Sequence, residues 1–361
     1  MFKQPSKIPQ KGRGAISNRT GRFERQHTDA IDDGWGLQID TSIPPIQTKL
    51  IAEITKKIIT RNQSPDIPFD RSINTYKGCE HGCVYCFARP THAYLGLSPG
   101  LDFETQIFYK PDAAAVLEKE LRASKYKCAV MAMGTNTDPY QPAERELKIT
   151  RRILEILSAH NHPVGIVTKS SLVIRDLDIL GPMAQKGLAQ VSLSITTLNR
   201  ELARKLEPRC ATPMRRLQAI RACADAGIQT GVMVAPMIPV LNDSELELIL
   251  KAASGAGATI AGYILLRLPL EIKGLFREWL ETHAPMKADH VLNAIRGTRN
   301  GQMYVSEFGE RMRGTGVYSE LLQQRFDKTC RRLRLNERRY KLRTDLFKRP
   351  AQPNQQPDLF D

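Results

Sequence analysis

The sequence predicts an α/β fold in which parallel strands alternate with crossover helices. Two observations lead there. Short β-branched or apolar runs stand at 72–76, 129–133, 164–168, 190–195, 230–234 and 259–266, with helix-patterned segments between them. The runs are continuously apolar rather than alternating, as strands buried on both faces are. Strand–helix alternation repeated six times requires parallel pairing with crossover connections. Six units fall short of eight, so an open or partial barrel and a flat doubly wound sheet both fit. Either way the functional site belongs at the carboxyl ends of the strands.

The elements follow in order. Residues 1–35 are rich in Lys, Arg, Gly, Pro and Gln, almost without apolar pattern, and read as a disordered basic arm. A core of alternating units spans about 65–290. Within it, 144–159 repeats Leu147, Leu154 and Leu157 on one helical face. Thr212 and Pro213 form a cap and a first helical residue, and Gly227 ends that helix. Asp243 caps another helix running to Ala253. After about 285 the strands stop, and 291–349 read as a basic helical extension. Its arginines at 325–349 are interspersed with Phe326, Leu333, Leu335, Tyr340 and Leu342, the pattern of an amphipathic helix with a basic face. Residues 350–361 form a flexible Pro/Gln tail.

Of 361 residues, 41% are apolar and 25% charged. The longest apolar stretch, 230–241, is interrupted by prolines and is shorter than the ~20 residues of a membrane span. The opening MFKQPSKIPQKGRG has no apolar core, so no secretory signal is visible and a cytoplasmic location is expected. The net charge is +15, unevenly spread. Residues 1–26 hold seven basic side chains and one acid; residues 296–349 hold fifteen and six. The body from 27 to 295 carries only +2. Two basic ends on a near-neutral body point to a polyanionic partner, a nucleic acid.

Seven cysteines are present, and three, Cys79, Cys83 and Cys86, fall within eight residues as Cys-x3-Cys-x2-Cys in KGCEHGCVYCFARP, just after the first strand. Clustered thiols in a chain without a secretory signal suggest a metal. Thiolates suit soft metals and iron–sulfur clusters. Gly78 and Gly82 let the backbone fold tightly around a bulky ligand. Structural zinc wants four protein ligands; His81 or His92 could supply the fourth, which leaves a zinc-stabilised, non-catalytic nucleic-acid-binding protein as the alternative. A 4Fe–4S cluster with one iron free of protein ligands is the main reading.

This spacing, with Tyr85 before the last cysteine, resembles the radical S-adenosylmethionine superfamily. CFARPTHAYLGL, MGTNTDPYQPAER, VTKS, SLSITT and LEPRCATPMRRL further resemble its spore photoproduct lyase-like branch, also described as DNA-repair photolyase-like. The resemblance implies a partial (β/α)6 TIM-type barrel and a 4Fe–4S cluster on Cys79, Cys83 and Cys86. It implies S-adenosyl-L-methionine on the open iron, reductively cleaved to a 5′-deoxyadenosyl radical that abstracts hydrogen, with an electron donor protein supplying the electron. DNA is favoured over RNA as substrate, with an RNA or a small molecule as the other radical-enzyme readings. It further implies that Tyr85, Gly134, Thr135, Asn136, Lys169 and Ser194 bind S-adenosylmethionine, with Met233, Ala235 and Pro236 flanking the adenine. The branch carries a hydrogen-donating cysteine after the second strand, where this chain has Thr135 and Asn136. Tyr76 and Tyr140 are alternative donors by position, Cys210 is within possible reach, and Cys128 belongs at the opposite end. At the terminus, Gln356, Leu359 and Phe360 resemble the peptide by which bacterial DNA repair proteins dock on the sliding clamp.

Overall fold

The structure, a computed structural model, describes residues 9–24, 46–337 and 340–351. Its strands are β1 (Lys49–Ala52), β2 (Ile59–Arg61), β3 (Arg71–Ile73), β4 (Tyr76–Lys77), β5 (Gln106–Tyr109), β6 (Met131–Met133), β7 (Val164–Thr168), β8 (Ala189–Ser194), β9 (Gln229–Met237) and β10 (Ile260–Leu265). The larger sheet has the order β10-β9-β8-β7-β6-β3-β2, and β1-β5-β4 form a second. β3 and β6 to β10 are parallel neighbours in sequence order, and β2 lies antiparallel on the edge. The sheet remains open: among the described residues no pairing joins β10 to β2.

The expected six units are thus present, and β7 has the expected bounds. Met131, Met133, Val164, Ile166, Val191, Leu193, Val232 and Val234 are buried, as the continuous apolar runs require. Register places Thr168 beside Leu193 and Ser194 beside Met233, so the residues that follow these strands share one end of the sheet.

The helix Pro213–Asp225 is built as its signals predict: Thr212 Oγ1 accepts from Arg215 N at 3.4 Å, Pro213 opens it, and Gly227 follows at φ 76°. Residues 144–159 are not one helix. Glu144–Leu147 and Ile149–Ala159 meet at Lys148, which takes φ 49°. The buried Glu144 carboxylate accepts from Thr150 N at 3.0 Å and pairs with Arg175 at 2.9 Å, which draws the backbone into that break. Asp243 does not cap a helix either. It lies in a 3-10 turn before the helix Leu246–Gly255 and accepts from the Tyr318 hydroxyl at 2.5 Å.

Both ends depart from expectation. Residues 9–24, expected within a disordered arm, lie packed on the body. Arg19 Nε donates to Glu278 at 2.6 Å and Arg22 pairs with Glu271 at 2.9 Å. Composition suggested disorder because these carboxylates are remote in sequence. At the other end the helix Gly316–Arg332 stops short of 349. Asn336, at φ 68°, pairs both its amide groups with Ala261 at 3.0 Å, bridging to the start of β10. Phe347 then packs between Tyr126 and His162, and Lys348 N donates to His160 O at 2.9 Å. The described basic residues after Arg332, among them Arg343, whose N donates to Gly187 O at 2.9 Å, therefore lie at the amino ends of the strands. Gln356, Leu359 and Phe360 fall outside the described residues.

Candidate active site

β3 leads into β4 and then a tight loop holding Cys79, Cys83 and Cys86. Gly78 and Gly82 take φ 82° and 69°, and a Cβ on Gly82 would stand 2.8 Å from Glu104 Oε2. Arg89, fully buried, braces the loop: it donates to Cys83 O at 2.8 Å and Gly100 O at 2.9 Å and pairs with Glu104. The amino-terminal arm covers it. Gly14 N and Ala15 N donate to the Glu104 carboxylate at 2.9 and 2.8 Å, and a Cβ on Gly14 would lie 1.7 Å from Gly82 O. Cys79 and Cys83 are buried and Cys86 half-buried.

Lys169, at the end of β7, reaches across the strand ends. Its Nζ donates to Ser194 Oγ at 2.7 Å, Ala235 O at 3.1 Å and Thr196 Oγ1 at 3.2 Å. It also lies 3.3 Å from Glu207 Oε1 and 5.6 Å from the centre of the Tyr85 ring. The Tyr85 hydroxyl donates to Glu207, as does Thr196. Arg216 pairs with the other carboxylate oxygen. Burial would raise the Glu207 carboxyl, but Arg216 and Lys169, with hydrogen bonds from Arg216 and Thr196, hold it well below the usual carboxylate range. Three sequence-predicted residues, Tyr85, Lys169 and Ser194, therefore join one buried network.

Gly134, Thr135 and Asn136 are placed differently. Thr135 Oγ1 and Asn136 N donate to Asn74 Oδ1 at 3.2 and 3.0 Å, which ties the ends of β3 and β6 together. Gly134 has φ 88°, and a Cβ there would lie 1.8 Å from Val167 O, so a glycine is required for strand approach alone. Asp138 is saturated by Tyr140 N, Thr168 Oγ1, Lys169 N and His81 Nδ1 at 2.6–3.3 Å. It clasps the cysteine loop to β7 and has no capacity left for an ammonium group.

Sequence reasoning missed Glu207, Thr196 and Asn74. LEPRCATPMRRL contains Glu207, yet nothing in the string shows that its carboxylate turns toward Lys169. Cys210, in the same loop, stands with Sγ 3.7 Å from Cys83 Sγ. Tyr76 and Tyr140 are buried in the core, and the Tyr76 hydroxyl donates to Glu144, so neither is disposed as a hydrogen donor at the mouth. Cys128 precedes β6, at the far end of the sheet, as expected.

The residues fit a thiolate-bound cluster and a zwitterionic cofactor. Burial, then the neighbouring Cys83 and Cys79, pushes the Cys86 thiol up to about 12, so three crowded sulfurs favour a cation among them. Lys169 and Arg216 outnumber Glu207, leaving one positive charge for a carboxylate. Among the described residues no three His, Cys, Asp or Glu side chains converge as ligands of one ion.

Comparison with known proteins agrees. Uncharacterized proteins of Mycobacterium bovis and Mycobacterium tuberculosis are each 42% identical over 221 residues, covering 61% of this chain. The chain spans 65% of the length of these relatives. A cysteine-to-serine mutant of spore photoproduct lyase shares the fold with TM-score 0.58 at 17% identity, and spore photoproduct lyase complexed with dinucleoside spore photoproduct does so with 0.57 at 18%; each match covers 79% of both chains. Residues 73–253, the stretch that carries the cysteine loop, Lys169, Ser194 and Glu207, match the Radical SAM superfamily, and the chain belongs to it.

Proposed function

We propose that this protein is an iron–sulfur enzyme that cleaves S-adenosylmethionine reductively and uses the resulting radical on a nucleic acid, DNA in preference to RNA, in repair or modification. One observation carries the reading: a three-cysteine loop at the mouth of a parallel sheet faces a buried Lys169–Ser194–Glu207–Tyr85 network. Cys79, Cys83 and Cys86 would hold a 4Fe–4S cluster. Such a cluster, with S-adenosylmethionine bound, would supply the single electron that splits the sulfonium into methionine and a hydrogen-abstracting 5′-deoxyadenosyl radical. Lys169 offers its ammonium to the cofactor carboxylate, released from part of its present bonding. Ser194 and Tyr85 orient that cation, and Glu207 lies 3.3 Å from it as its counter-ion. Gly134, Thr135 and Asn136 form the neighbouring rim.

Support for a polyanionic substrate is the charge of the amino-terminal arm, whose described residues lie over the cysteine loop. The spore photoproduct lyase structures support a nucleic-acid lesion as the substrate class through fold alone. No helix among the described residues is long and apolar enough to cross a membrane, and a cytoplasmic setting suits an oxygen-sensitive cluster. Gln356, Leu359 and Phe360 add a proposed contact to a sliding clamp, carried by sequence: a 350–361 peptide should bind the clamp and lose binding with Leu359→Ala and Phe360→Ala.

Anaerobic purification tests the whole reading. About four iron per chain, and 5′-deoxyadenosine on adding reductant and cofactor, support it; colourless protein with stoichiometric zinc refutes it. Crosslinking the reduced enzyme to nucleic-acid pools identifies the strand.

A further inference from the structure

The near-neutral charge of the body conceals a basic face. Residues 196–220 hold six basic and two acidic side chains, and one of those acids, Glu207, is buried. The helix Arg200–Leu206 and the start of the helix Pro213–Asp225 flank a cleft of about 340 Å³, lined by Arg200, Arg204, Glu207, Cys210 and Arg216. It adjoins a wider hollow of about 490 Å³ where Leu198, Met214 and Leu217 meet Arg215. Arg200, Arg204 and Arg215 are exposed and make no ion pair among the described residues. The nearby Glu201 is held by Lys205 at 2.8 Å. Met214 stands 63% exposed between them. An apolar centre with an arginine rim, rich in Met and Arg, has the make-up of a protein-docking surface.

What lies behind this face gives it a purpose. Cys210 lines the cleft and touches Cys83 at 3.7 Å. Glu207 and Arg216 form the rest of the inner wall and meet the Lys169 network on their other side. A partner seated here reaches the back of the cysteine loop without entering the mouth where substrate must react. A nucleic acid gains nothing from that approach, and exposed Met214 with Leu198 and Leu217 offers phosphates no partner.

We propose that this face docks an acidic one-electron carrier protein, its carboxylates on Arg200, Arg204 and Arg215 and an apolar side chain on Met214, and that Cys210 marks the point of electron entry. The proposal rests on the iron–sulfur reading above. One electron leaves the carrier, which is oxidised by one, and enters the cluster held by Cys83, which is reduced by one; no bond forms or breaks.

The test uses the reconstituted full-length enzyme with a reduced flavodoxin, a reduced [2Fe–2S] ferredoxin, and dithionite as a small chemical reductant. Carrier binding is read by fluorescence anisotropy and cluster reduction by stopped-flow absorbance. Changing the three arginines together to Glu, and separately to Gln, should slow reduction by the carriers about tenfold or more at low salt and weaken their binding, the effect fading as salt rises. Iron content and reduction by dithionite should match the unmodified protein. Unchanged carrier rates in both triple variants overturn the proposal. So does a loss of single-stranded DNA binding with carrier rates intact, which assigns the face to nucleic acid. An unmodified enzyme reduced by dithionite but by neither carrier also overturns it. Unmodified protein that takes up no iron refutes the iron–sulfur reading itself, and this is visible before any variant is compared.

Discussion

Replacing Glu207 with Gln keeps the shape and most hydrogen bonds of the buried carboxylate while removing its charge. Lys169 Nζ is 3.3 Å from Glu207 Oε1, and Arg216 is ion-paired with the other oxygen. At an effective dielectric constant of ~20, the lysine contact alone is worth about 5 kcal/mol. Desolvation already offsets part of that, and breaking a buried pair costs about 3–5 kcal/mol net. With an unfolding entropy of about 2.1 cal/mol/K per residue over 361 residues, the midpoint should fall by about 4–7 °C. Scanning calorimetry of the cluster-free protein at pH 7 measures this. The folded Glu207 titrates below its unfolded value, so its contribution is complete above about pH 4.3 and is lost as pH falls toward the folded value. The gap between unmodified and Glu207→Gln protein should therefore close in acid. A second arm uses Arg216→Met: the double variant should be less destabilised than the sum of the singles. A midpoint within about 1 °C of the unmodified protein at pH 7, with additive singles, would refute the charge-balance argument.

Other outcomes follow from separate parts of the molecule. Gly134→Ala should cost more than about 3 kcal/mol, since a Cβ meets Val167 O at 1.8 Å, and a normal melting midpoint would contradict it. Cys83→Ala should lose iron on reconstitution yet keep its circular dichroism spectrum and nucleic-acid affinity; binding lost with the fold intact would move the substrate contact to the cysteine loop. Burial holds His162 down to about 4, so unmodified protein should lose about 3 kcal/mol relative to His162→Phe as pH falls from about 6.5 to 4, measured by chemical denaturation. Gly14→Val should release the amino-terminal arm to limited proteolysis while the core melt stays near its original midpoint.

The six strand–helix units were legible because parallel strands buried on both faces leave unbroken apolar runs. The cap at Thr212 and Pro213 was legible because it depends on neighbours in sequence. The cysteine loop was legible for the same reason, its three cysteines lying within eight residues. What sequence concealed depends on residues far apart in the chain. Glu207 acts through Lys169 and Tyr85, reached only by folding. Lys148 breaks a helix because Arg175 holds Glu144. The basic face at Arg200, Arg204 and Arg215 vanished when charge was averaged over the body. The arm at 9–24 looked disordered because composition gives no sign of carboxylates waiting elsewhere.

That arm has a bearing on the order of assembly. Arg22 and Arg19 must wait for partners 249 and 259 positions downstream, so this segment can take its seat only after Glu271 and Glu278 have been made. Until then the thiols beneath it stand uncovered, which gives a biosynthetic window in which iron and sulfide can be delivered before the entrance is roofed over.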